Sequence, residues 1–424
     1  MVDLDEQSAV DQARTQEDAP NQKSGMYQVW MLAISLSILQ IGFGIVTPIF
    51  PFYIVELGVG ATELGVLAAS FALTRIILAG PFGGLSDRVG RKKVLLVALA
   101  GFAVSNLIYA YANSIIVMII ARALEGGISA GFYPAANAFV SDMTTPENRG
   151  TAMGYLSMGN MVGFVVGPSL GGVLAEFLGI RLPFMIAAAA SLVTLFILNL
   201  IVHEPDRQAF RSEFEKQRIP IRDVFSQNAK AYSALGITMF ANMFAIGILE
   251  VAFMLDAVQR YAFSPLEIGA FFGVLGVIVI IGNIAFGKIS DRIGRKWLIS
   301  IGSLVAAMSL YFFMMASGVI DFYIAGAILG IAISMRGPTI QAMIADLSDA
   351  RAYGSVMGTF GAISNSAYVV GPILGGVLFD TSGDSISALG LTVVVSVASA
   401  VVAGISLPSY RPSESYSKDE NSSD

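Results

Sequence analysis

Gly83-Gly84-Leu85-Ser86-Asp87-Arg88-Val89-Gly90-Arg91-Lys92-Lys93 is a short, cationic, glycine-bounded stretch wedged between two long apolar runs. It returns as Gly287-Lys288-Ile289-Ser290-Asp291-Arg292-Ile293-Gly294-Arg295-Lys296, 204 residues later and again between apolar runs. A charged hairpin placed twice at equal depth in a hydrophobic chain reads as the link between membrane-crossing helices in a duplicated protein.

The rest of the composition agrees. Of 424 residues, 55% are hydrophobic and 13% charged, and the mean hydropathy is +0.71, whereas soluble domains carry about 25% charged residues. The apolar residues form continuous blocks of about 20, the length a helix needs to cross the hydrocarbon core. They do not alternate every second residue, which excludes a membrane β-barrel. The chain is expected to be an all-α protein embedded in the lipid bilayer.

Several chemistries are excluded at the same stage. There is no cysteine and one histidine, His203, so disulfides, iron–sulfur clusters and thiolate zinc sites have no ligands, and no metal or cofactor is expected. An enzyme would also need clustered nucleophiles or bases, which are lacking. The net charge of −6 comes largely from acidic tails. Basic residues sit in short turns and form no broad patch, so no nucleic-acid partner is expected. The segment Gly282 to Lys288 nearly fits a phosphate loop, but Ile289 stands where Ser or Thr would hold magnesium. It also follows a membrane span, so no nucleotide is expected.

Residues 1–28 are polar and acidic and read as a disordered tail. Twelve spans follow, six over 29–202 and six over 229–408. A cytoplasmic linker occupies 203–228 and a polar tail 409–424. Counting Lys and Arg in the loops sets the orientation. With the N-terminus inside, 20 of the 25 lie on the cytoplasmic side, Arg181 and Arg260 lie outside, and Arg75, Arg122 and Arg336 fall within spans. Both termini are therefore expected to be cytoplasmic, in a plasma membrane.

The 204-residue offset holds elsewhere. Pro134 and Asp142 recur as Pro338 and Asp346, and Gly163-Phe-Val-Val-Gly167-Pro168-Ser-Leu-Gly171-Gly172 recurs as Ala367-Tyr-Val-Val-Gly371-Pro372-Ile-Leu-Gly375-Gly376. Six spans per copy is an even number, so the copies are parallel repeats, whose substrate sites lie between them near mid-membrane.

The paired turns resemble the loop 2–3 signature of the major facilitator superfamily, G-x-x-x-D-R-x-G-R-K. Gly163 to Gly172 resembles the antiporter motif of its twelve-span drug:proton branch. Ile41 to Pro51 resembles the span-1 motif of that branch, and Arg122-Ala-Leu-Glu125-Gly126-Gly127 its proton-linked span-4 motif. The resemblance covers about residues 29–408. It implies the major facilitator fold, alternating access, a small-molecule substrate, a proton as coupling ion, and a monomer.

Site residues are read against plainer explanations. The resemblance implies a gating role for the motif as a whole, Gly83, Arg88, Gly90, Arg91, Arg292, Gly294 and Arg295 included, whereas positive-inside bias by itself accounts for Arg91, Lys92 and Lys93. That bias does not account for Asp87 and Asp291, each at a span end with Gly90 or Gly294 three residues on. Their expected role is gating, with Asp87 on the start of span 11 near Gly354 and Asp291 on the start of span 5 near Gly150, against positive helix ends. Gly84 is replaced by Lys288 in the second copy, so the Asp87 latch is expected to matter more. The stripe Gly163, Gly167, Gly171 packs helices closely in any case; the functional addition is a sealed moving interface with a Pro168 kink. Pro48, Pro134 and Pro338 mark helix bends.

Intramembrane charges are costly and usually face a cavity or a partner. Arg75 lies ~18 Å and Arg336 ~15 Å from the ends bearing Asp87 and Asp346 at helical rise. Arg122 and Glu125, three apart, form either a structural pair or a site where proton or substrate competes. Glu250 sits inside an apolar run, where desolvation disfavours a fixed charge and suits reversible protonation. Asp256 is read as solvated, and Asp142 with Arg149 as a surface pair. Phe43, Phe50, Phe132, Tyr133 and Phe244 fit a lipophilic ligand. Proton-coupled efflux of hydrophobic or amphipathic molecules is expected, with an organic-anion or sugar transporter as the alternative favoured by three intramembrane arginines.

Overall fold

A computed structural model describes residues 22–144, 146–204, 221–349 and 352–409, apart from the side chains of residues 22–25, 83, 84, 86, 87, 146, 147 and 221. The expected tails and most of the linker lie outside these residues. Twelve helices are long and apolar enough to cross a membrane. They are α1 (Met26–Leu57), α2 (Ala61–Val89), α3 (Arg91–Tyr111), α4 (Ile115–Met143), α5 (Pro146–Leu178) and α6 (Leu182–Ile201). After the linker come α7 (Ala229–Gln259), α8 (Pro265–Ile293), α9 (Arg295–Met315), α10 (Val319–Leu347), α11 (Tyr353–Ser382) and α12 (Ile386–Ser406). Six lie on each side of the linker, as two repeats.

The opening stretch is less of a turn than its composition suggests. α2 continues through it to Val89 and α8 to Ile293, so each reversal takes one residue, Gly90 (φ 119°) or Gly294 (φ 99°). Only glycine adopts such angles without strain. Polar residues extend the helices past the apolar blocks because the C-terminal turn welcomes Arg88 and Arg292.

Arg91 and Arg295, first residues of α3 and α9, brace these corners. Arg91 Nε donates to Asp142 Oδ2 (2.8 Å), and Arg295 pairs with Asp346. These are repeat equivalents, each tying a corner to the end of α4 or α10 in its own half. Asp142 was expected to pair with Arg149; instead the Arg149 guanidinium donates to the carbonyls of Ser141 (3.3 Å) and Thr144 (3.5 Å). The open carbonyls at the end of α4 attract a cation there.

The glycine stripe faces inward on its own half. A Cβ at Gly167 would lie 2.8 Å from Gly44 Cα, and one at Gly163 or Gly171 would meet the backbone of α1 at Ile41 or Ile45. Gly371 and Gly375 meet α7 at Phe244 and Ile248 in the same way. The stripe therefore packs helices within a half, and the contact between halves uses the adjacent residues. Gly172 faces Pro265 and Gly269 of α8, while Gly376 faces Ala61 and Thr62 of α2. Pro48 interrupts α1 with a tight turn over Thr47–Ile49, whereas helix continues through Pro134, Pro168, Pro338 and Pro372.

These cross-half contacts lie toward the end of the molecule opposite the motif corners. Gly65 of α2 abuts Pro372, and Gly276 of α8 abuts Val165. Toward the motif end, the same four helices carry Gly80, Gly150, Gly154, Gly287, Gly354, Gly358 and Gly361, none with a neighbour among the described residues within 4 Å of a Cβ. The halves are joined at one end and parted at the other. Asp87 has its side chain outside the described residues. Asp291 was expected on the start of α5 but is exposed and pairs with Arg295 in its own turn (3.7 Å). Gly376→Val would drive two methyls into the Ala61 carbonyl, an overpacking cost of about 1–3 kcal/mol borne only when that end is closed. The expected result is a population shifted toward parting at that end, read by cross-linking of paired cysteines on α2 and α11.

Candidate functional site

A charged cluster drawn from both halves lies within the helix bundle, nearer the end opposite the motif corners. On α4, Arg122 and Glu125 lie one turn apart, and Arg122 Nη1 donates to Glu125 Oε2 (2.9 Å). Tyr109 of α3 donates to the same oxygen (3.0 Å). Both charged side chains are sealed, at 2% and 0% exposure. Three rings surround the guanidinium, with Phe71, Phe43 and Phe50 centroids 4.8, 5.1 and 5.2 Å from Arg122 Cζ. Ring faces attract a cation in such a dry setting.

The other half supplies Glu250. It sits in a widened helical turn, Leu249–Phe253, within α7; such single-turn π-bulges recur at functional sites. Tyr368 of α11 donates to Glu250 Oε2. Glu250 and Tyr368 both lie within electrostatic reach of Arg122. One arginine is thus paired with a carboxylate of its own half and lies within electrostatic reach of a carboxylate of the other.

The cluster is incompletely satisfied. Glu125 Oε1 and Arg122 Nε are buried with no hydrogen-bond partner among the described residues. A half-paired buried network is costly for stability. It also has one cation against two carboxylates, so it is one proton short of neutrality.

The remaining expected residues are dispersed. Arg75 is half-buried on α2 over the Tyr133 ring (5.4 Å), and Tyr133 donates to Gln40 Oε1 (2.6 Å). Arg336 is 4% exposed, donates from Nε to Ala332 O (3.2 Å) in its own helix, and has no carboxylate ion pair among the described residues. Phe132 and Phe244 are buried core residues. Asp256, read as solvated, is buried and accepts from Ser385 Oγ (2.6 Å) and Ser385 N (3.4 Å), where it caps the start of α12. A separate apolar groove of about 490 Å³ opens between α7, α11 and α12, lined by Phe225, Tyr232, Phe240 and Ile363 among others.

Tyr109, Tyr368 and Phe71 had not been singled out from the sequence. A signal for two of them was present in the duplication: Tyr109 and Tyr368 stand where the other copy has Phe313 and Phe164. The charges break the repeat too, since Arg122, Glu125 and Glu250 correspond to Gly326, Leu329 and Val46. Residues that obey the repeat shape the corners; those that break it make the site.

A Major Facilitator Superfamily model matches residues 32–290 and 235–423. The chain is 30% identical over 363 residues to Multidrug resistance protein 1 of Bacillus subtilis, covering 82% of this chain and 89% of that protein. It is 27% identical over 363 residues to the quinolone resistance protein NorA of Staphylococcus aureus, covering 83% and 90%. Among solved structures, an inward-facing, unoccupied bacterial homologue of the human lysosomal transporter Spinster superposes with a TM-score of 0.74 at 17% identity, over 92% of this chain and 97% of that one. The human organic anion transporter MFSD10 superposes with a TM-score of 0.63 at 19% identity, over 91% and 100%. At such identities these two likenesses concern the fold. With twelve spans in two parallel repeats and a family model matched along nearly its whole length, the chain belongs to the Major Facilitator Superfamily of membrane transporters.

Proposed function

We propose that this transporter exports hydrophobic or amphipathic small molecules in exchange for protons, with its two halves rocking about this charged cluster. The observation that carries this reading is the placement of Glu125 and Glu250, from opposite halves, around the single cation Arg122. With both carboxylates ionised the cluster holds one net negative charge in a low-dielectric site, where such an imbalance is severely penalised. A proton on either carboxylate restores neutrality, and so does a cationic substrate. Either occupant then excludes the other, which is the logic of exchange. The phenylalanines around Arg122 offer an apolar wall, and the names of the multidrug relatives favour the same substrate class.

With the motif end taken as cytoplasmic, the conformation described is open to the cytoplasm. Closing that end would bring Asp87 to the start of α11, and that contact and the one at the opposite end would alternate. The second reading, an organic-anion transporter, is favoured by Arg336, a buried guanidinium with no carboxylate ion pair among the described residues.

Purified protein in liposomes, with an imposed pH gradient and cationic, neutral and anionic compounds, tests both. Under the exchange reading, cationic or neutral lipophiles accumulate against their gradient when the proton gradient is applied, and the applied gradient dissipates faster when they are present. Counterflow that ignores the pH gradient sinks the antiport assignment. Transport confined to anions, and lost in Arg336→Gln, establishes the second reading.

A further inference from the structure

The start of α8 caps itself. Ser264 Oγ accepts from Glu267 N (3.3 Å), and Glu267 Oε2 accepts from Ser264 N (2.8 Å). In the other copy, α2 begins after Gly60, which occupies the repeat position of Ser264 and has no side-chain oxygen. Glu63 serves only Gly60 N (3.1 Å), so the next two amides need another acceptor.

That acceptor comes from the opposite half. Asp380, near the end of α11, accepts from Ala61 N (2.9 Å) and Thr62 N (2.8 Å), and Thr62 Oγ1 donates to it as well (2.5 Å). The bare Gly60 admits it, since a Cβ there would lie 3.2 Å from both carboxylate oxygens. At the equivalent place on α5, 204 residues earlier, Glu176 accepts from Leu266 N (3.3 Å) in the first turn of α8. Each carboxylate therefore sits on the positive start of a helix belonging to the other half, where charge and hydrogen bonding favour it together. The α2 contact has three bonds and no local substitute; the α8 contact has one bond and a helix already capped.

We propose that Asp380, with Glu176 as its weaker counterpart, is a helix cap acting across the two halves that holds the end opposite the motif corners closed, and whose release is a step in opening that end. These bonds exist only while the halves meet there. When they part, Asp380 and the first amides of α2 must turn to water. The cap thus weights the conformational equilibrium directly, whatever the substrate or coupling ion.

The chain lacks cysteine, so spin labels can be placed on Ile116→Cys and Ile320→Cys, exposed repeat equivalents at the starts of α4 and α10 in opposite halves. Pulsed dipolar distance distributions in lipid nanodiscs, without ligand or pH gradient, then report the opening of this end. Asp380→Ala is expected to raise the ratio of long to short distances about tenfold, the scale of losing hydrogen bonds to a charged group. Asp380→Asn keeps an oxygen acceptor and is expected to shift less, and Glu176→Gln less again. Glu56→Gln breaks an exposed ion pair with Arg181 at the same end but inside one half, and is expected to leave the distribution as in the parent. An Asp380→Ala distribution matching the parent overturns the proposal, as does an equal shift in Glu56→Gln. Both outcomes are read without transport, so they stand or fall apart from the proton-exchange reading.

Discussion

Glu250→Gln is expected to reduce transport driven by an imposed pH gradient to the level of protein-free vesicles, while the protein remains folded and still binds neutral lipophiles. Glutamine keeps the volume and an oxygen for the Tyr368 hydroxyl, which donates to Glu250, but it neither carries charge nor exchanges a proton. The cluster then holds Arg122 and Glu125 alone, an electrically neutral pair with no reason to take up a proton. Substrate can still equilibrate down its own gradient if the halves rock, so gradient-driven accumulation and passive exchange separate in this variant. Tyr368→Phe removes one hydrogen bond to a carboxylate, and a slowing of up to about tenfold is expected. Undiminished pH-driven accumulation in Glu250→Gln would move the proton to Glu125 or remove it from the mechanism.

Arg122→Met is expected to be the most destabilising single change at the site, by about 3–5 kcal/mol in thermal or denaturant unfolding, because it strands a buried carboxylate. Glu125 is 0% exposed and keeps only the Tyr109 hydroxyl once the arginine is gone. Arg122→Met with Glu125→Gln removes both charges and restores most of that loss, since a neutral pair of similar volume needs no counter-ion. Transport separates the two readings of this pair. A purely structural pair predicts that the double variant regains gradient-driven transport along with stability. A working pair predicts a stable protein that no longer couples, because the cation shared with Glu250 is missing. We expect the second, given that Glu250 and Tyr368, as well as its own partner, lie within electrostatic reach of Arg122.

The fold was legible in the chain because its determinants are local. A helix crosses the bilayer when about 20 apolar residues follow one another, and no tertiary contact is required to see it. The duplication was legible for the same reason, with Asp87 and Asp291 or Gly167 and Gly371 keeping one offset. Where sequence reading went astray, partners came from distant segments. Asp142 seemed matched to Arg149, seven residues on, yet the α3 start brings Arg91 closer. Asp256 seemed solvated until the start of α12 folded over it. Glycines 163, 167 and 171 plainly mark a close approach, but whether it lies within a half or between halves depends on which helix stands opposite.

By itself, then, the amino-acid sequence determined the twelve spans, the parallel repeats and the short list of intramembrane charges, since hydrophobic length and the cost of a charge in lipid act residue by residue. The tertiary structure decided which of those charges meet. It paired Arg122 with Glu125 within electrostatic reach of Glu250, left Arg75 and Arg336 apart, and carried Asp380 across the molecule to the start of α2. Such meetings join positions up to 319 residues apart, and only the packing of one half against the other defines them.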